Sequence, residues 1–386
     1  MHCFFEPYLA LIFLSSIFLT GSFIFSITQT NNIRPSKCST IPNVTLSNDV
    51  DQLHKIIADS IKKAKRNVQL SFSDLNETAL SKIYIPALLE AKSNGASIKI
   101  IVSLNNNIED ILKNNGITDI FDINTANLTI SSQSIVADDT AFIAPFLIPN
   151  PHGSTPMLAQ LISISDCESL VQDLSNFMSY YELSQLNKLP RVIPGNLMAQ
   201  TSAIKPLQIE KSKFFMFHNP QSYVDPLRID TSRVLTALFD ENPVSIDFYS
   251  YSPQCLTSLV DPTSDEFSLY LIMKELLMKN QTKVRYLASK QSSQEETEPC
   301  YEALAAFSNV EFRVYNLNNE GPNFIIVHFE KSKESYIFAQ YIRALEIGNS
   351  VALHLATNDE GIGNYLQWNF ESVWDEATPV SIEWYD

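Results

Sequence analysis

Glycine is scarce in this 386-residue chain, and its scarcity excludes several kinds of site. The nine glycines form no G-x-G-x-x-G, P-loop or G-x-S-x-G pattern. Such turns let the backbone approach a phosphate closely or present a nucleophilic serine. The sequence therefore predicts no cofactor of the nucleotide type and no hydrolase built on a serine elbow.

Basic residues are also few. The chain has 27 lysines and arginines against 43 aspartates and glutamates, which gives a formal net charge of −16. An acidic surface repels the phosphate backbone, so we expect no nucleic-acid partner. The one basic run, Lys62-Lys63-Ala64-Lys65-Arg66, lies where a helix is predicted to end. Cations at that place complement the helix dipole.

Only five cysteines occur, and none forms a C-x-x-C pair. A zinc site or a dithiol redox motif is therefore not expected, and we predict no metal. Cys3 precedes a long apolar segment, and the other four cysteines follow it: Cys38, Cys167, Cys255 and Cys300. An even number in an oxidising compartment fits two disulfides, and three pairings stay open.

The long apolar segment is Tyr8–Ile27, twenty residues without a charge. This length is sufficient for a membrane span. A small-x-small pattern at Thr20 and Ser22 leaves a cleaved signal peptide as the alternative. Arg34 and Lys37 follow the segment and no lysine or arginine precedes it, so the positive-inside rule argues against a cytosolic N-terminus.

Glycosylation sequons indicate a body on the exoplasmic side. Four N-x-T triplets follow the apolar segment, at Asn43, Asn76, Asn127 and Asn280. Together with the cysteines they outweigh the charge pattern. We therefore predict a single-pass glycoprotein of the endoplasmic reticulum or of later secretory or lysosomal membranes, with a luminal body. Secretion is the alternative.

The rest of the chain contains two copies of one α/β unit. Residues 48–182 and 229–376 each follow the order helix, strand, helix, strand, two short strands joined by a turn, strand and closing helix. Val68 is matched with Val244, and Ile98 with Val284. Asp166 is matched with Asp359, and both are predicted N-caps of the closing helices. The predicted division is a tail 1–7, an anchor 8–27, a stalk 28–47, lobe 1 over 48–190, a linker 191–228 and lobe 2 over 229–386.

This order behind an N-terminal anchor resembles the phospholipase D superfamily. The resemblance covers the chain after about residue 48 and includes Ile135-Val136-Ala137-Asp138 and Ser335-Tyr336-Ile337. It is similar to the type II membrane branch with lysosomal phospholipase D-like exonucleases and poxvirus envelope relatives. The resemblance implies an α/β fold of two mixed sheets packed about a pseudo-twofold axis. It also implies a Cys38–Cys167 disulfide, which leaves Cys255 and Cys300 as a second pair.

Each copy in that family carries H-x-K-x-x-x-x-D, in which histidines transfer the phosphoryl group and lysines neutralise its charge. Carried over, the first motif falls at Ser131, Gln133 and Asp138. The second falls at Ile325, Val327 and Ser332. No histidine of this chain has a lysine two residues later. Ile325 and Val327 would line the phosphate pocket with apolar groups, which disfavours an anion.

These substitutions predict a catalytically inactive member of the family that acts as a binding or scaffolding protein. Its partner would be a second copy or an active relative. The alternative is a phosphodiesterase with a rebuilt active site, for which Asp138 and His328 are the candidate groups.

Overall fold

The computed structural model describes residues 37–72, 77–103, 108–117, 120–126, 129–130, 133–144, 159–183, 207–220, 242–250, 276–279, 281–289, 307–315, 324–330, 335–339 and 350–380. Within these ranges, no helix is long and apolar enough to cross a membrane. The predicted anchor at residues 8–27 lies outside them.

The helical elements with both ends described are α1 (Val50–Lys63), α2 (Glu77–Ala79), a π-helical turn (Leu80–Tyr84), α3 (Ile85–Ser93), α4 (Ile108–Asn114), α5 (Glu168–Leu183) and α6 (Glu360–Trp374). The described strands of the first half are β1 (Asn43–Ser47), β2 (Asn67–Phe72), β3 (Ser97–Ser103), β4 (Asp122–Ala126), β5 (Thr129–Ile130), β6 (Gln133–Ala137), β7 (Thr140–Ala144) and β8 (Ala159–Ser165). Those of the second half are β9 (Leu207–Ile209), β10 (Ser212–Pro220), β11 (Ser245–Ser250), β12 (Lys283–Ser289), β13 (Val310–Tyr315), β14 (Phe324–His328), β15 (Ser335–Ala339), β16 (Ser350–Thr357) and β17 (Thr378–Pro379).

Local sequence explains where α1 begins and ends. Its apolar residues recur every three or four positions, so one stripe of the helix is buried. Asp49 caps the first turn by accepting a hydrogen bond from the Gln52 backbone N–H at 2.9 Å. Lys62 and Lys63 stand in the last turn, where they complement the helix dipole as predicted.

The strands form two mixed sheets. The first has seven strands in the order β1-β8-β7-β6-β2-β3-β4, and the second runs β17-β13-β12-β11-β14-β15-β16-β10-β9. Three neighbouring strands are parallel in each sheet: β2, β3 and β4 in the first, and β11, β12 and β13 in the second. The predicted α/β architecture of two mixed sheets is confirmed.

Each copy of the repeat begins one strand earlier than predicted. Residues 43–47, predicted to belong to the stalk, form β1 and pair antiparallel with β8. Residues 207–220, predicted to lie in a linker, form β9 and β10, and β10 pairs antiparallel with β16. β1 and β10 thus occupy the same place in their sheets. Local sequence gave no sign of them because each strand depends on a partner far away in the chain.

Strand register also corrects how the two copies match. β2 and β11 are six-residue strands, and each pairs in parallel with a seven-residue strand, so Asn67 matches Ser245 and Ser97 matches Lys283. Val68 therefore matches Ile246 and not Val244, whereas the match of Ile98 with Val284 stands. Val244 and Ile246 are two residues apart on a strand, so their side chains point to the same face. Periodicity alone therefore could not tell which of them matches Val68.

An apolar layer lies between the sheets and joins them. Strand residues of both sheets contribute to one buried cluster, and α5 and α6 contribute their buried faces. Its members include Ile143, Ile162 and Leu174 from the first copy and Tyr249 and Leu366 from the second. A separate cluster fills the opposite face of the first sheet under α1, α3 and α4. The fold is therefore layered, with the first sheet buried on both faces.

Residues 37–40 are fastened to the start of α5. Cys38 and Cys167 form the disulfide that the resemblance implied. Around it, the Ser39 N–H donates to the Asp166 carbonyl at 2.9 Å, and the Glu168 N–H donates to the Lys37 carbonyl at 3.1 Å. Asp166 itself has a φ of 50° and does not cap the helix, contrary to the prediction. Its carbonyl instead accepts the Ser39 N–H bond. We call the disulfide and the hydrogen bonds that hold residues 37–40 to the start of α5 the clamp.

Replacing Cys38 and Cys167 together by alanine should lower the free energy of unfolding by about 2–5 kcal/mol, because the bond closes a long loop in the unfolded chain. Their separation is 129 residues. Urea unfolding, followed by circular dichroism, measures the loss. The wild type under reducing conditions is the control and should shift in the same direction. An unchanged midpoint in the double variant would contradict the structural role of the clamp.

Candidate functional site at the carboxyl ends of the sheets

Topology divides each sheet into two ends. We call the end where the parallel strands finish the carboxyl end and the opposite one the amino end. β6 and β8 run against β2 and β7 respectively, so both begin at the carboxyl end of the first sheet. Ligands of open α/β sheets commonly bind beyond the carboxyl ends of the strands. Gln133, the first residue of β6, places the start of the first family motif at this end.

Small polar side chains line the carboxyl end of the first sheet. Ser71 and Ser134 are a cross-strand pair on β2 and β6, and both are fully buried. Gln133 and Gln160 are also buried. Among the described side chains, the Ser134 hydroxyl and both amide atoms of Gln160 have no hydrogen-bond partner. Buried polar groups are costly when they are not satisfied, so these uncharged groups lower the stability of this end of the sheet.

Aromatic side chains occupy the corresponding end of the second sheet. Tyr249 on β11 contacts Tyr315 and Phe324 edge-on, with ring centroids 5.3 and 5.2 Å apart. Burial raises the pKa of Tyr249, so its hydroxyl stays protonated. No lysine or arginine stands at the ends of the described strands that finish or begin here. The two halves therefore differ in chemistry, one polar and one aromatic.

A short strand connects the two carboxyl ends. β5, from the first copy, pairs in parallel with the beginning of β16 in the second sheet, and Thr129 faces Ser350. Ser131, matched to the family's histidine position, follows β5 directly in the sequence but lies outside the described residues. The chain at the first motif is thus bonded to the other copy immediately before the motif begins.

Asp138, the one motif residue that this chain retains, lies at the amino end. It occupies the turn between β6 and β7 with a φ of 51°, a conformation that aspartate tolerates better than most residues. Its carboxylate accepts backbone N–H bonds from Lys65, Arg66 and Asn67 at 2.8, 3.0 and 2.9 Å. This residue therefore joins the α1–β2 connection to the β6–β7 turn.

Hydrogen bonding sets the charge state of Asp138. Burial by itself raises its pKa, but the three backbone donors and the nearby Arg66 guanidinium outweigh burial, and the pKa falls below its ordinary value. A lowered pKa in the folded state means that the ionised carboxylate stabilises the fold at neutral pH. This contribution is lost as the pH falls below about 4 and through the folded pKa.

Asp138→Asn should destabilise the protein by about 1–3 kcal/mol at pH 7, because an amide cannot accept all three N–H bonds through a charged group. Asp139→Asn is the matched control. Asp139 is exposed and forms a surface ion pair with Arg66, so its replacement should cost less than about 0.5 kcal/mol. Chemical denaturation at pH 7 and at pH 3 measures both variants. The difference between them should shrink at the lower pH; equal losses at pH 7 would contradict this role.

The structure corrects the predicted second motif. Ile325 and Val327 are buried, but they alternate with Phe324 and Ile326, which belong to the layer between the sheets. Both therefore lie on the outer face of the second sheet and do not line a pocket between the copies. Strand register gives a different match. Asp138 stands opposite Asn67, one residue beyond the β2–β6 pairing, and His328 pairs with Ser245. Because Asn67 matches Ser245, Asp138 matches His328.

His328 thus stands where Asp138 stands in the first copy. The same register matches Ser131 and Gln133 with Gly321 and Asn323, which lie outside the described residues together with Ser131 and Ser332. Asp138 and His328 lie at the amino ends of different sheets. The structure does not bring them together as the rebuilt active site would require.

His328 belongs instead to an ion-pair network beneath α6. Arg285 donates to both oxygens of Asp247, at 2.7 and 2.8 Å, and to both oxygens of Glu371, at 2.9 and 2.6 Å. The His328 ring nitrogen Nε2 lies 3.3 Å from Asp247 Oδ2, and Gln367 donates to the same oxygen at 3.2 Å. Periodicity could not find this network, because its members come from three strands and a helix.

Arg285 compensates the buried negative charge of Asp247. Burial by itself raises the pKa of Asp247, but hydrogen bonds from His328 and Arg285 and the positive charge of Arg285 lower it overall. The Arg285 guanidinium also lies over the rings of Phe370 and Trp374, 4.8 and 5.4 Å from their centroids. Its contacts fix α6 on the second sheet, so we interpret the network as structural.

Arg285→Met should cost about 3–5 kcal/mol, because Asp247 is almost fully buried and would lose its counter-ion. The matched control is Lys283→Met on the same strand. The ion pair of Lys283 with Glu311 is exposed, so the control should change stability by less than about 1 kcal/mol. Thermal unfolding of both variants measures the contrast. A near-neutral Arg285 variant would show that the network does not hold the helix.

The remaining predicted sites are only partly visible. Asn43 is exposed on β1, and the sequons at Asn76, Asn127 and Asn280 lie outside the described residues, as do Cys255 and Cys300. In the described part of the chain, no group of three or more His, Cys, Asp or Glu residues could hold a metal ion.

Neither a family model nor a curated protein matches the chain. Solved structures do match. Phosphatidylserine synthase from Haemophilus influenzae Rd KW20 superposes with a TM-score of 0.60 and 12% identity, over 87% of this chain and 87% of its own. Polyphosphate kinase from Porphyromonas gingivalis gives a TM-score of 0.53 and 10% identity over 86% of this chain, which spans 46% of that enzyme.

A phospholipase D family member, Nuc from Salmonella typhimurium, also aligns, over 37% of this chain and 96% of its own, with 16% identity and a TM-score of 0.30. That score carries no argument about the whole fold. At 12% and 10% identity, the first two neighbours show a similar fold but do not indicate a shared activity. The chain has a phospholipase D-like fold, as the sequence resemblance predicted.

Proposed function

We propose that this chain is a catalytically inactive phospholipase D-like protein that binds a partner on the luminal or extracellular side of a membrane. One observation carries the proposal: no H-x-K triplet occurs anywhere in the sequence. The phosphoryl-transfer reaction of the phospholipase D family requires a histidine nucleophile, a histidine acid and two lysines that neutralise the phosphoryl charge. This chain supplies none of them at the first motif.

The role of Asp138 supports the same conclusion. It is the only motif residue retained in the first copy, and its carboxylate is fully engaged by backbone N–H groups at the amino end. Its persistence is explained by folding alone. Retention of this aspartate is therefore no sign of retained catalysis.

The described groups at the carboxyl ends do not favour a phosphate-bearing ligand. They are uncharged and buried: Ser134 and Gln160 in the first sheet, and the rings of Tyr249 and Phe324 in the second. A phosphate placed beside them would be desolvated without a cation. We propose that the partner is a protein, either a second copy or an active relative.

The proposed setting is that of a membrane-anchored glycoprotein. It depends on the uncharged segment at residues 8–27 and on the four sequons, of which Asn43 is exposed on β1. A Cys38–Cys167 disulfide agrees with an oxidising compartment. Cleavage of the segment would give a secreted protein with the same body.

Phosphodiesterase assays test the proposal directly. Purified full-length protein is incubated with phosphatidylcholine, a single-stranded DNA oligonucleotide and bis(4-nitrophenyl) phosphate. We expect the wild type to be no faster than the variant Ser131→Ala/Gln133→Ala, which removes the polar groups at the first motif. Losing a working catalytic group costs about 10⁴- to 10⁶-fold, so a wild-type rate even about 100-fold above that of the variant would overturn the proposal. Equal thermal stability of the two proteins is the control for folding.

A further inference from the structure

The clamp at Cys38 fixes where the membrane-proximal chain reaches the body. β1 begins at Asn43 and runs towards the carboxyl end, where Ser47 pairs with Ala159, the first residue of β8. β8 finishes at Ser165, at the amino end, and the disulfided Cys167 follows two residues later. Residues 37–40 therefore meet the body at the amino end of the first sheet.

Several contacts hold the chain at this point, so it cannot swing towards the other end. Besides the disulfide, the Lys37 N–H donates to Ser169 Oγ at 3.1 Å, and the Thr40 hydroxyl donates to the Ser165 carbonyl. Only residues 28–36 separate the clamp from the predicted anchor. The chain from residue 27 to residue 37 can span at most about 35 Å when it is fully extended.

We infer that the amino end of the first sheet faces the anchoring membrane and that the carboxyl end, with the candidate site, faces away from it. The two ends are about 20 Å apart, the length of the seven-residue strand β8. A partner that docks at the carboxyl end then comes from the aqueous compartment and is not a lipid of the same bilayer. This inference rests on the proposed membrane anchor and on the proposed binding site.

Energy transfer to the bilayer tests the orientation. Full-length protein is reconstituted in vesicles of phosphatidylcholine and phosphatidylserine that contain a headgroup-labelled acceptor lipid. A donor is attached through an azide-bearing amino acid in place of Lys92, exposed at the end of α3, or of Asn48, exposed after β1. Neither position belongs to the candidate site. We expect stronger transfer from position 92, corresponding to a distance shorter by about 20 Å.

Each outcome decides between the claims. Equal transfer, or stronger transfer from position 48, overturns the orientation and leaves the anchor intact. No transfer from either position overturns the anchor, and the inference falls with it. Cleavage at a protease site inserted within residues 28–36, after reconstitution, should abolish both signals. Transfer that persists after this cleavage would show that the body itself binds lipid, which also contradicts the inference.

Discussion

Burial of α5 and α6 between the two sheets is the constraint on which the rest of the structure depends. Both helices bury their apolar faces in this layer, and strand residues of both copies contribute to it. The Arg285 network and the Tyr365 hydroxyl, which accepts a hydrogen bond from the Leu46 N–H at 3.0 Å, add polar contacts at the borders of this layer. The geometry of the carboxyl ends follows, because it is set by how the two halves meet.

The two copies differ in chemistry at matched positions. Matched positions carry Asp138 in one copy and His328 in the other, and each is bound to its own sheet. Ser71 is matched with Tyr249, so a small polar group on one side corresponds to an aromatic ring on the other.

The sequence predicted the elements that carry strong local signals. Helix α1 was recognisable from Val50, Leu53 and Ile57, and β3 from its apolar run, because one buried stripe or run decides the period. Strand β4, Asp-Ile-Asn-Thr-Ala, has low β propensity and forms because β3 offers it a partner. The outward orientation of Ile325 and Val327 was also not predictable. Both faces of β14 are apolar, and alternation does not tell which one faces the other copy.

The pairing of β5 with β16 has a consequence for how the two halves can move. Main-chain hydrogen bonds cross from one copy to the other beside the first motif, with Ile130 opposite Val351. Spreading the halves apart would break these bonds in addition to exposing the apolar layer to water. A hinge motion that opens the seam between the copies is therefore disfavoured.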